Sequence, residues 1–204
     1  MATFLDLKTK VASEIHRTDL TSQVSDAIKS AVRYYDSQRF WFNESSGTFS
    51  TVANQVEYGA GTVPNGIVEI DLVTLTVNSR IQELSPKPWQ ELAAVDQTSW
   101  AGIPYYYGWR AKSLRLYPRP NAVYTCSVYF LLALPELSAD ADDTVWTNEG
   151  ADIIRHRAKA EIFDSVLYAP QMADRCRLQE NETFSRMIKR TNEMAATNVL
   201  QGDW

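Results

Sequence analysis

The chain has 204 residues, of which 45% are hydrophobic and 22% charged, with 20 Lys and Arg against 25 Asp and Glu. That length buries a core without disulfide or metal staples, and the composition is that of a globular protein. The net charge of −5 and the lack of any basic cluster argue against a dedicated nucleic-acid binder, because neutralising phosphates takes grouped Lys and Arg.

Thr3 and Asp6 have the spacing of a capping box, and Phe4, Leu7, Val11 and Ile15 follow at helical intervals, so a first helix is expected to about His16. The charges spread through MATFLDLKTKVASEI are unlike a signal peptide. Asp19 to Thr21 punctuate the chain. Leu20, Val24, Ala27, Ile28, Ala31 and Tyr35 then form the apolar face of a second helix, which leads into Phe40, Trp41 and Phe42. The two helices are expected to form a hairpin.

From Gly47 the composition turns to Thr, Val, Tyr and Gly, and GTFSTVANQVEYGAG reads as two short strands about Asn54-Gln55. In IVEIDLVTLTVNSRIQEL the apolar alternation changes phase after Leu72, which predicts a bulge or burial on both faces. Ser85 to Pro88 break the sheet, and a short helix follows from Trp89 to about Gln97 with Trp89, Leu92 and Ala93 inward. Tyr105 to Trp109, Leu114 with Leu116, and Val123 to Leu132 are three strands. Pro118 and Pro120 mark a turn that makes the last two a hairpin. Tyr124, Cys126, Val128, Phe130 and Leu132 share the core face. VYFLLAL is too short to span a membrane.

An acidic loop, ELSADADDTVWTNEGADI, then supplies Asn148 as an expected N-cap. Ile154, Ala158, Ile162 and Ser165 mark a third long helix to about Tyr168, and Pro170 opens a fourth with Cys176, Phe184, Met187, Ile188 and Met194 on its apolar face. The fold class is thus α+β: a four-helix module, from two N-terminal and two C-terminal helices, with a β-rich insertion of five or six antiparallel strands and one short helix. Residues 1–45 with 146–198 form a discontinuous helical domain, 46–145 the insertion and 199–204 a tail.

No pattern for catalysis or cofactor binding emerges. His16 and His156 have no partner at metal-ligand spacing. Asp140, Asp142 and Asp143 begin like a calcium loop, but Val145 stands where glycine is needed and Ala151 where glutamate is needed, which leaves a solvated, capping-rich loop. There is no nucleophile elbow, phosphate-cradling glycine loop or singled-out carboxylate pair. Cys126 and Cys176 fall in different elements and are expected as free thiols.

Two candidate surfaces remain. In PYYYGWR, Tyr105, Tyr107 and Trp109 share one side of a strand, placed either to stack on a ligand or to pack against the core. Beyond the last helix, Leu200, Gly202, Asp203 and Trp204 offer a partner-docking tail with tryptophan as its anchor.

Taken in order, several phrases resemble the head-to-tail adaptor (connector) proteins of tailed bacteriophages: YYDSQRFWF closing the opening helices, then GTFSTVANQVEYGAG as a threonine-rich hairpin. Gly102, Pro104, Tyr106 and Tyr107 follow as G-x-P-x-Y-Y. The phrase L-R-L-Y-P-x-P-x-A-x-Y runs from Leu114 to Tyr124, and an acidic L-S-x-D-x-D loop precedes two helices. Asn121 departs from the acidic residue more usual at its place. The resemblance implies a structural virion protein of the neck, present in the host cytoplasm during assembly. It would form a ring of twelve copies beneath the portal, extend the DNA channel and dock a tail or nozzle protein. Double-stranded DNA would pass without specific binding, and no cofactor, membrane or reaction is implied. The rival readings are an aromatic-platform carbohydrate- or receptor-binding module, another neck or tail-completion protein, and a hydrolase.

Overall fold

The computed structural model describes residues 2–95 and 100–197, with side chains to Met194. The chain opens with α1 (Phe4–Glu14) and α2 (Thr21–Tyr35), then gives β1 (Glu44–Ser50), β2 (Glu57–Tyr58), β3 (Ile67–Val77), β4 (Arg80–Pro86) and α3 (Trp89–Ala94). After these come β5 (Ala101–Gly102), β6 (Tyr106–Arg110), β7 (Ser113–Tyr117), β8 (Arg119–Pro120) and β9 (Thr125–Leu132). The chain closes on α4 (Val145–Asn148), α5 (Ala151–Ser165) and α6 (Pro170–Thr197). It divides into two compact units, one from Met1–Phe42 with Leu134–Trp204 and the other from Asn43–Ala133.

In the helical unit, α5 packs against α1, α2 and α6. The capping box at Thr3 forms as its spacing predicts: Asp6 N–H donates to Thr3 Oγ1 at 3.2 Å and Thr3 N–H to Asp6 Oδ2 at 2.8 Å. Two further first-turn amides of α1, which no helix satisfies internally, donate to the acidic loop: Phe4 to the Asp142 carbonyl and Leu5 to the Asp140 carbonyl. Phe4, Leu7 and Val11 on α1, Val24, Ile28 and Tyr35 on α2, and Ile153, Ile154 and Ile162 on α5 are buried at the expected period. Trp146 on α4 is fully buried and meets Phe40 and Phe42 edge-on, at 6.4 and 5.7 Å between ring centres.

In the β-rich unit seven strands form one mixed sheet in the order β1-β9-β3-β4-β6-β7-β2, and β5 and β8 form a separate pair. β1 and β2 are opposite edges, yet the rings of Phe49 on β1 and Tyr58 on β2 lie 5.1 Å apart, so the sheet curls round its own core. That core takes side chains from every strand of the sheet, among them Phe49, Tyr58, Val73, Leu75, Leu84, Tyr107, Leu116 and Val128. Each large apolar side chain withdrawn from water contributes roughly 1.5–3 kcal/mol, and the curl lets a seven-stranded sheet cover one face without a layer of helices.

The architecture is α+β, with six helices among the described residues, and it corrects several sequence expectations. Among the described residues nine strands lie between Glu44 and Leu132 rather than five or six, and they are not all antiparallel: β4 runs parallel to β6, and β5 to β8. IVEIDLVTLTVNSRIQEL is a hairpin, not one strand, since Asn78 and Ser79 both take positive φ and turn β3 into β4. The expected irregularity is present as register shifts between Ile67 and Glu69 and between Ile70 and Leu72. Neither proposed hairpin pairs: β1 bonds to β9 and β2 to β7, while β7 bonds to β6 and β9 to β1 and β3. Asn148 does not cap the long helix: Thr144 stands at the N-cap position of α4, where its amide donates to Thr147 Oγ1 at 3.1 Å, and Gly150 precedes α5. Ala93, Ser165 and Met194 are exposed rather than inward.

Candidate functional site

On β6 strand alternation turns successive side chains to opposite faces. Tyr107 is 5% exposed within the sheet core, where burial pushes its hydroxyl pKa up. Trp109 is partly buried against the same core and lines a cavity of about 280 Å³ with Val63, Pro64, Val68 and Lys112. Tyr105, just before the strand, belongs to a different group. Its ring lies 4.7 Å from that of Tyr106, 6.0 Å from Tyr117 and 6.2 Å from Trp100. The structure thus separates Tyr107 and Trp109 from Tyr105.

The cluster of Trp100, Tyr105, Tyr106 and Tyr117 is the aromatic surface of this unit. Antiparallel pairing puts Tyr106 opposite Tyr117, and Trp100 packs edge-on against Tyr117 at 6.0 Å while staying 50% exposed. Lys87 Nζ sits 5.4 Å from the centre of the Tyr106 ring. Sequence reading missed this grouping, since Trp100 and Tyr117 lie outside PYYYGWR: the β6–β7 register sets Tyr117 opposite Tyr106, and Trp100 directly precedes β5, which pairs with β8 just after Tyr117.

The helical unit offers a polar cleft of about 490 Å³ lined by Tyr34, Tyr35, Arg157, Arg177, Glu180 and Phe184, among others. Glu180 is buried on α6, yet its carboxylate is matched: Arg157 Nη1 reaches Oε1 at 2.9 Å, and the Tyr35 hydroxyl donates to the same oxygen. The Arg157 guanidinium lies on the Tyr34 ring, 3.2 Å from its centre. Burial first, and then the hydrogen bond to Glu180, raise the Tyr35 pKa well above that of a free phenol. A second network joins α1 to α5, with Glu14 accepting from Lys159 at 2.6 Å and Arg155 at 3.1 Å.

The acidic loop acts on its own backbone. Asp142 Oδ2 accepts from the Ser138 and Ala139 amides at 2.7 and 2.8 Å and from the Ser138 hydroxyl at 3.0 Å, bonds that hold its carboxyl below the usual carboxylate range. Cys126 and Cys176 are free and buried, and burial pushes the Cys126 thiol up to about 12, far from an activated thiolate. Burial, helped by Lys159 and Arg155, lowers the His156 pKa. Among the described residues no group of His, Cys, Asp and Glu is placed to hold a metal ion, and no helix is long and apolar enough to cross a membrane. Leu200, Gly202, Asp203 and Trp204 lie outside the described residues.

Compared with known protein families, residues 2–201 match the model of the SU10 adaptor protein. No curated protein matches the chain.

Proposed function

The chain belongs to the SU10 adaptor protein family of bacteriophage adaptors, a family of structural virion components that are not normally enzymes, and from that membership we propose a head-to-tail adaptor role. In this reading the protein sits in the neck as a ring of twelve copies beneath the portal, extends the DNA channel and docks a tail or nozzle protein.

The observation that carries the reading is the family match along almost the whole chain, residues 2–201. Physical features agree with it. α1, α2, α5 and α6 serve as the four-helix module that builds the ring, for which closed assembly requires two different surfaces on each copy. An acidic chain repels phosphates, so DNA slides through a lumen without sticking. The Leu200 to Trp204 segment is the portal-docking tail, and residues 46–145 form the tailward insertion.

The exposed Trp100 and the three tyrosines around it favour one alternative, an aromatic platform for a carbohydrate or receptor. Under the adaptor reading the same cluster is the tailward contact.

Native mass spectrometry of the protein, alone and mixed with the portal ring of the same phage, tests the proposal. A complex carrying a ring's worth of copies on the portal is expected, and deletion of Leu200 to Trp204 should weaken it while leaving the circular dichroism unchanged. A monomer that ignores the portal at micromolar concentration overturns the reading. Saturable glycan binding by that monomer would establish the platform instead.

A further inference from the structure

The β-rich unit carries an apolar knob at one end of its longest strand and an apolar hole near the other. The knob is the β3–β4 turn, tightened by positive φ at Asn78 (49°) and Ser79 (63°), the backbone that a two-residue hairpin turn demands. Ile81 stands just beyond it, paired with Thr76 and 77% exposed. Two residues on, and therefore on the same face of β4, is Glu83, exposed and without an ion pair among the described residues. An isoleucine so placed adds nothing to the unit's own core.

The hole is the cavity of about 280 Å³ walled by Val63, Pro64, Val68 and Trp109. Its lining is apolar apart from Asn65, backbone and Lys112, a cation in the β6–β7 turn that is exposed and, like Glu83, has no ion pair among the described residues. Val68 is 45% exposed at its edge. From Val68 to Thr76, the partner of Ile81, the strand runs eight residues, roughly 25 Å. The knob therefore cannot enter the hole of its own chain.

We propose that Ile81 of one copy seats in the Trp109-lined cavity of a second copy, with Glu83 set against Lys112. The occupant is a second copy because the knob pairs an apolar side chain with an anion and the hole pairs an apolar wall with a cation. Neither charge has an ion pair among the described residues. A contact between two different patches of the same molecule is heterologous, and its repetition closes a ring when the rotation per copy allows. The proposal rests on the ring reading above and adds the β-rich unit to the lateral contacts of that ring.

Trapping tests it on the full chain, whose native thiols are buried. Protein with Ile81→Cys is mixed with protein carrying Val68→Cys in a glutathione redox buffer, after circular dichroism has matched each variant to wild type. A covalent heterodimer is expected. Its yield should fall about tenfold when Glu83→Lys joins the first variant and return when Lys112→Glu joins the second. A yield no higher than that of Ile81→Cys mixed with Ser46→Cys, or one indifferent to the charge reversals, overturns the pairing. Native mass spectra of wild type on the portal judge the ring separately: a ring without the heterodimer refutes this contact alone, and a heterodimer without a ring refutes the ring alone.

Discussion

Tyr35 near the end of α2 donates its hydroxyl hydrogen to Glu180 in the middle of α6, a bond between residues 145 apart in sequence that closes the helical unit on itself. Arg157 from α5 meets the same carboxylate oxygen, so three helices converge on one buried atom. Removing one partner of a buried pair costs more than the pair contributes, because the survivor loses its compensation without regaining water. Glu180→Ala is therefore expected to destabilise the protein by about 3 kcal/mol, read from the urea midpoint at unchanged slope. Arg157→Ala leaves the carboxylate its bond from Tyr35 and an open cleft, and should cost less. Equal losses would show that the bond to Arg157 carries the whole contribution of Glu180 and the bond from Tyr35 none of it.

Tyr58 seals the sheet where its two edges approach. Its hydroxyl donates towards the Val52 carbonyl at 3.2 Å and the Gln55 carbonyl at 3.0 Å, and accepts from the Val52 amide at 3.1 Å. Tyr58→Phe keeps the ring against Phe49 and removes only the oxygen. A loss of about 1–2 kcal/mol is expected, with hydrogen exchange at the Val52 amide accelerated more than at amides of β3 or β9. Uniform acceleration would mean that the bond reports global stability only.

How much of this could be read from the chain depended on which interactions are local. The capping box at Thr3 and the buried faces of α1, α2 and α5 follow from three- and four-residue spacings, so they were legible. Alternation along β9 likewise told which of its side chains face the core. It did not tell which strand lies beside it, because alternation fixes a face and not a neighbour, and both expected hairpins failed for that reason. On α6 the buried side includes Glu180, Thr183 and Thr191, which a hydropathy pattern reads as exposed. Glu180 is matched by Tyr35 and Arg157 from other helices, and no local spacing announces those partners, while Thr183 and Thr191 donate to the Gln179 and Met187 carbonyls one turn back on α6 itself. The aromatic cluster about Trp100 was hidden in the same way, behind the pairing of Tyr106 with Tyr117.

Gly66 holds the turn into β3 at φ +77°, and a Cβ built there would stand 2.8 Å from Leu132 Cδ1. Gly66→Ala meets both the left-handed backbone penalty and that contact, and about 1–2 kcal/mol of destabilisation is expected. Gly61 has φ +91° with open space around its Cβ position. Gly61→Ala thus isolates the backbone share, and the difference between the two thermal midpoints measures the Leu132 contact. No difference would locate the whole cost in the backbone.

The alkaline limb of stability tests the environment of Tyr35 by a route independent of mutant packing. Its folded pKa lies above the phenol value of about 10 of an unfolded chain, because burial and the neighbouring Glu180 carboxylate both disfavour a phenolate. Below that value both states hold the proton and the contribution is fully present. As pH rises past about 10 the unfolded chain releases its proton while the folded chain keeps it, so unfolding gains free energy and stability falls until the folded group titrates too. Tyr58 and Tyr107, also raised by burial, add to the same slope. Urea titrations from pH 8 to 11 should therefore show a decline that Tyr35→Phe makes shallower, although the variant starts lower at pH 8. An unchanged slope in Tyr35→Phe would mean that the hydroxyl titrates as it does in water and that the bond to Glu180 does not persist in solution.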